Sequence, residues 1–201
     1  KPHATFLEVY RPIVLLTSSD QQKTNQGDKK TKVPVSELVP DRFVVHPGKV
    51  ELADGKTVIF GTIRGNFPEK NIVIQSITFQ APKNNVNVSN FVVNSNEVQV
   101  DTIALIPNEP WFTQNNLEVG KLHMKISHVK LPNQIFDSLL FQRKFYPATL
   151  DISNFDLFVT KDKRLPDPPE VEKPWSLSSM IQHPLPLPIQ TIQIRDGDIR
   201  V

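Results

Sequence analysis

The sequence predicts a mainly β protein: a long, coiled, bulged antiparallel sheet with an apolar inner face, open and groove-like, and two short helices. Three observations predict it. An eight-residue pattern, φxφxxφxφ with φ apolar, recurs six times along the chain. Twenty of its twenty-four intervening slots are polar or charged, the exceptions being Val73, Val92, Ala104 and Pro188. Only two short stretches carry helical periodicity instead.

Taken in chain order, TFLEVYRPIVLL (5–16) reads as a strand that Pro12 interrupts or confines to an edge. TSSDQQKTNQGDKKTK (17–32) contains no apolar residue, so nothing in it offsets the entropy of ordering, and a mobile polar linker is expected. From residue 43 the chain is almost continuously strand-like, with turn signals at Pro47-Gly48, Asp54-Gly55, Pro82 and Pro107.

The six copies are IVIQSITF (72–79), VNVSNFVV (86–93), VQVDTIAL (98–105), MKISHVKL (124–131), LDISNFDL (150–157) and LPIQTIQI (187–194). Within each, the apolar phase slips by one residue across a central polar pair. Either the strand turns its second half onto the opposite face, or an extra residue bulges out and keeps both halves on one face. A bulge also increases twist, hence the expectation of a coiled sheet with one dry and one wet side. Between these strands, NQIFDSLLFQRK (133–144) and PWSLSSMIQ (174–182) show apolar stripes at helical spacing and read as short helices capping the dry face.

A longer repeat lies over this one. FVVHPGKVEL (43–52) matches IQIRDGDIRV (192–201) position by position, with an offset of 149 residues. Each is φxφ, a Gly-bearing tight turn and φxφ, which reads as a β-hairpin. The organisation expected is therefore an N-terminal strand and linker (1–37), one repeat unit (38–183) and the opening hairpin of a next unit (184–201), as in a piece of a stacked array.

Composition narrows the function classes. A chain of 201 residues with net charge +2 has no basic stripe for nucleic acid, and no apolar run approaches the roughly 20 residues that span a bilayer. KPHATFLEVY has no apolar signal-peptide core. Without cysteine there are no disulfides or thiolate metal sites, which suits an oxidising compartment only weakly. Eighteen prolines against seven glycines cluster at LPDPPEVEKP (165–174) and HPLPLP (183–188), marking stiff extended connections. No phosphate-cradling loop, His-Glu-x-x-His or Gly-x-Ser-x-Gly occurs. His123 and His128 are five residues apart with no carboxylate cluster beside them, and Asp54-Gly55 and Asp196-Gly197 read as turn chemistry. No enzyme, cofactor or metal centre is expected.

The run from VQVDTIALIPNEPWF through KLHMKISHVKLPNQIFDSLLFQRKFYPATLDISNFDLFVTKDKRLPDPP to PLPLPIQTIQIRDGDIRV resembles the AsmA-like envelope proteins of the repeating β-groove superfamily, in their Bacteroidota-type form. The motifs are a strand ending in Leu-Ile-Pro, a strand leading into the short "IFDSLLFQRK" helix, a strand ending in a "VTKDKRLP" exit, then a Pro-rich segment and an "I-x-I-x-x-G-x-I" hairpin. Residues 98–201 carry most of the resemblance. It implies a taco-shaped sheet with an apolar groove, anchored in the inner membrane by a segment beyond this chain. The sheet would project into the periplasm of a Gram-negative bacterium and guide lipid between membranes. It supplies no catalytic motif.

Ten φ residues are the candidates for touching acyl chains by non-directional hydrophobic contact: Ile74, Ile77, Val100, Ile103, Ile126, Val129, Ile152, Phe155, Ile189 and Ile192. The competing reading for each is closed core. The rival for the whole protein is an extracellular β-sandwich module for adhesion or carbohydrate binding. One coiled open sheet or two packed sheets would distinguish them.

Overall fold

The computed structural model describes residues 5–15, 40–52, 56–134, 136–142, 148–166 and 189–200. In chain order the strands begin with β1 (Phe6–Val9), β2 (Ile13–Leu15), β3 (Arg42–Val45), β4 (Gly48–Glu51), β5 (Thr57–Phe60) and β6 (Ile63–Asn66). Longer strands follow: β7 (Asn71–Gln80), β8 (Asn84–Val93), β9 (Glu97–Pro107), β10 (Lys121–Pro132) and β11 (Ala148–Thr160), then β12 (Ile189–Ile194) and β13 (Gly197–Arg200). Helix α1 (Glu109–Asn115) follows β9, and α2 (Phe136–Gln142) follows β10. All thirteen strands among the described residues belong to a single open sheet, not to the two packed sheets of a sandwich.

Nine continuous paths cross this sheet, because eight of the short strands lie end to end in pairs. β3 pairs with β6 while β4 pairs with β5, and both β6 and β5 pair with successive halves of β7. β12 and β13 likewise lie along successive parts of β11. This corrects the two expected hairpins. FVVHPGKVEL and IQIRDGDIRV do not fold back on themselves; each is one strand with a kink at its centre. The neighbouring strand is long enough to offer both halves a ladder, which satisfies their backbone groups without a reversal.

The expected antiparallel sheet is in fact mixed. The interior is antiparallel, but β1 and β2 run parallel to β3 and β4, and β12 and β13 run parallel to β11. A parallel pair needs a crossover of a dozen or more residues. The two connections concerned have 26 residues (16–41) and 28 residues (161–188). The polar tract and the proline-rich segment of the sequence fall within those connections. Residues 17–32 and the expected helix at 174–182 themselves lie outside the described residues.

The phase slips fall on one line. On β7 to β11 the pairing passes over Gln75 opposite Asn90, Asn90 opposite Asp101, Asp101 opposite His128, and His128 opposite Ser153. Each strand gives up one residue where its neighbour does, so the slip is matched across the ladder and the apolar phase is restored on the same face. The breaks at Tyr10-Arg11, His46-Pro47, Gly61-Thr62 and Arg195-Asp196 continue this polar line across the remaining paths. Arg11, Asn90, His128 and Asp196 adopt left-handed φ of 44° to 55° there. A one-sided bulge occurs at Gln190, which is extra on β12 opposite the Ala148–Thr149 step of β11. The slip in LPIQTIQI is therefore of a different kind.

The core sits at one end of the dry face. Ile72, Val93, Val98 and Leu131 are buried beneath Phe136 of α2, which is 1% exposed, with Leu139 and Leu140 beside it. Phe67 joins this cap, edge-on to Phe136 with ring centroids 6.0 Å apart. Phe43 lies over Gly65, where any Cβ would collide with its ring. Lys70 Nζ reaches Asp137 Oδ2 at 2.8 Å and ties the β6–β7 turn to the first turn of α2. The helix falls within the expected 133–144 stretch. α1 was not expected, although Asn108 at its N-cap position, Glu109 and Pro110 form a helix-start signal.

Candidate functional site: the open half of the apolar face

Cross-strand registers align the apolar residues in rows that run at right angles to the strands. On the α2 side of the polar line, one row joins Ile63, Ile74, Phe91, Val100, Val129 and Ile152. On the other side, the matching row joins Phe60, Ile77, Val88, Ile103, Ile126 and Phe155. Five inter-strand spacings of ~4.8 Å make each row roughly 24 Å long, against ~15 Å of hydrocarbon in one bilayer leaflet. These rows are possible because the matched slip returns both halves of every strand to the same face.

Exposure rises across the line on β9 to β11, whereas Ile63, Ile74 and Phe91 of the first row are half-buried like the second. Val100, Val129 and Ile152 are buried at 6–8% exposure. All six residues of the second row are half-buried, as are Phe79, Val86, Leu105 and Leu157 one row further on. The hydrophobic cluster around Val100, Val129 and Ile152 consists of strand residues alone, whereas its neighbour is capped by α2. One end of the dry face is thus a helix-covered core. The other is an apolar strip with partly accessible side chains.

The ten sequence candidates divide along this gradient. Val100, Val129 and Ile152 are core residues. Ile103, Ile126 and Phe155 pack against them but stay half-open, and Ile77 lies in the same open row. Ile74 is half-buried against the α2-capped cluster. Ile192 is 50% exposed on the last path. Ile189 pairs through its backbone with Ala148, and its side chain lies outside the described residues. Val58 and Phe60 were missed, though TVIFGTIRG (57–65) carries the same φxφxxφx spacing with Gly in its last apolar slot.

The two rows contain no ionisable side chain, so the chemistry they offer is non-directional apolar contact. Charge is confined to the surroundings. At the α1 end, Lys121 Nζ meets Glu109 Oε2 at 2.6 Å and Lys161 Nζ meets Glu118 Oε1 at 2.9 Å. Nearby, Arg164 donates to Asp162 from its guanidinium and its backbone N–H, holding that carboxyl down to about 2. A cleft of ≈ 610 Å³ lies at this end, lined by Phe112 and Val119 together with Lys121, Thr160 and Arg164. Among the described residues, no three His, Asp or Glu side chains are grouped to hold a metal ion.

No family model, curated protein or solved structure matches this chain. The resemblance to AsmA-like proteins rests on the sequence motifs quoted above.

Proposed function

We propose that this chain is a non-enzymatic segment of an AsmA-like envelope protein, and that it binds lipid acyl chains along the open half of its apolar face. In this reading the protein is periplasmic, anchored to the inner membrane by a segment beyond this chain, and it guides lipid in maintenance of the outer membrane. The observation that carries it is the row Phe60, Ile77, Val88, Ile103, Ile126 and Phe155, continuous over six strands and half-buried throughout. Side chains in a closed core are shut off from solvent; side chains in a permanent interface would mark one compact patch. A strip crossing many strands with partial exposure throughout suits a long flexible apolar ligand, whose contacts repeat along its length at roughly 0.8 kcal/mol per buried methylene.

Two aspartate substitutions separate lining from core. Ile152→Asp places an unpaired charge in a site that is 6% exposed, and is expected to cost several kcal/mol and unfold the chain. Ile126→Asp lies one row away in the half-open strip, and is expected to leave cooperative unfolding intact. The readout is capture of a photo-crosslinkable phospholipid. Wild type should capture it, and Ile126→Asp should capture at least several-fold less while keeping the wild-type circular dichroism. Undiminished capture by folded Ile126→Asp, or no capture by wild type, would refute the lipid reading.

A further inference from the structure

The two parallel seams have the same register. On the first, Leu7, Val9 and Pro12 stand beside Phe43, Val45 and Gly48 through the β1–β3 pairing and the Pro12 carbonyl. On the second, Leu150, Ile152 and Phe155 stand beside Ile192, Ile194 and Gly197. These are the positions matched by the 149-residue sequence repeat, Phe43 with Ile192, Val45 with Ile194 and Gly48 with Gly197. The repeat is thus three-dimensional, and it carries a preceding strand with it.

The two copies differ on their other side. The far edge of β3–β4 is occupied by β6 and β5, and a Cβ on Gly48 would meet the Pro12 carbonyl oxygen and Pro12 Cδ on the β1–β2 side as well as Phe60 Cζ, 2.9 Å away, on the β5 side. The far edge of β12–β13 has no strand paired to it among the described residues. A Cβ on Gly197 would meet nothing nearer than Ile194 Cγ2 at 3.6 Å. Ile192, Ile194 and Ile199 are 50%, 51% and 64% exposed along it.

We propose that the outer edge of β12–β13 is a strand-addition site whose occupant is an antiparallel strand of the β5–β6 type. The occupant carries the spacing of residues 58–65, with an aromatic ring opposite Gly197 as Phe60 stands opposite Gly48. Main-chain hydrogen bonds supply affinity in such an addition, and the side chains facing the dry side supply selectivity. The open glycine is the specific element. In the occupied copy the Phe60 ring shares the corresponding space with Pro12, and at the second copy two apolar residues before the kink and one after it await the same cover. The inference stands on strand geometry and does not depend on lipid binding.

The test uses the full chain and a synthetic peptide of residues 56–67, KTVIFGTIRGNF, fluorescently labelled, with benzoylphenylalanine replacing Phe60 for cross-linking. Saturable binding is expected, with cross-links confined to residues 194–200. Phe60→Ala in the peptide should weaken binding at least tenfold. Gly197→Val in the protein should do the same while leaving its unfolding midpoint unchanged, since a side chain fits there in the free protein. Several results would overturn the proposal: no saturable binding, equal affinity for Gly197→Val, cross-links at residues 6–15, or cross-links at Gly48 through exchange with β5–β6. Cross-linking of one copy to another through 194–200 without peptide would also overturn it, by making the edge a self-association surface.

Discussion

His128 shows what the polar line demands of a single residue. It is exposed, it sits mid-strand in β10, and its φ is 52°. Strand propensity favours a β-branched residue there, whereas left-handed φ excludes one. Steric strain is the larger effect, so His128→Val is expected to destabilise by about 1–2 kcal/mol, and His128→Gly to be neutral or mildly stabilising. Urea unfolding of both variants checks the order; a Val variant as stable as Gly would mean that the kink relaxes. Asp162 gives a second residue-scale expectation. Arg164 holds its carboxylate at about 2 against an ordinary 3.8. A depressed carboxylate contributes its stabilisation in full above the ordinary value and loses it as pH falls through the folded value, here between about 4 and 2. Carbon-detected NMR titration should find this midpoint near 2 in the wild type, and nearer the ordinary value in Arg164→Ala.

The same residues explain which elements could be read from sequence. The φxφxxφxφ pattern identifies β7 to β11, because burial of one face imposes period two and the polar pair marks the slip. α2 was legible from Phe136, Leu139 and Leu140 at helical spacing. The 43–52 segment was misread because Pro47-Gly48 is equally good chemistry for a reversal and for a kink. The choice between them is made by the partner: β5 and β6 lie along the same neighbour, β7, and residues far away in the chain cannot be seen in a local pattern. The candidate strip was half legible for a related reason. The pattern located the dry face, but it does not distinguish its rows: Val100, Val129 and Ile152 are closed among other strand residues, while Ile103, Ile126 and Phe155, one row on, are half-open. Phe136 is the residue through which α2 closes its end. Phe136→Ala is expected to cost roughly 3–5 kcal/mol, as for other large buried truncations. Leu105→Ala, in the half-buried row, should cost clearly less. Equal losses in chemical denaturation would show that both halves of the face are closed core.

At the scale of the whole molecule, the sheet has a strong middle and weak margins. Each of β8, β9 and β10 has a long antiparallel neighbour on both sides, while β1–β2 and β12–β13 are short and, among the described residues, paired on one side only, parallel to their partner. A parallel ladder is slightly less stable per residue than an antiparallel one, and a strand paired on one side leaves the other row of backbone groups to water. Opening free energies should therefore fall from the centre outward. Native-state hydrogen exchange is expected to show the slowest amides in β8 to β10, close to the global unfolding limit, and the fastest strand amides in β12–β13 and β1–β2. Adding the 56–67 peptide at saturating concentration should then slow β12–β13 selectively, because mass action adds the binding free energy to the local opening equilibrium. β1–β2 serves as the internal control. Its position corresponds to β11 of the repeat, not to β12–β13, so its protection should stay unchanged. Equal slowing at both margins would mean that the peptide stabilises the sheet as a whole rather than occupying one edge.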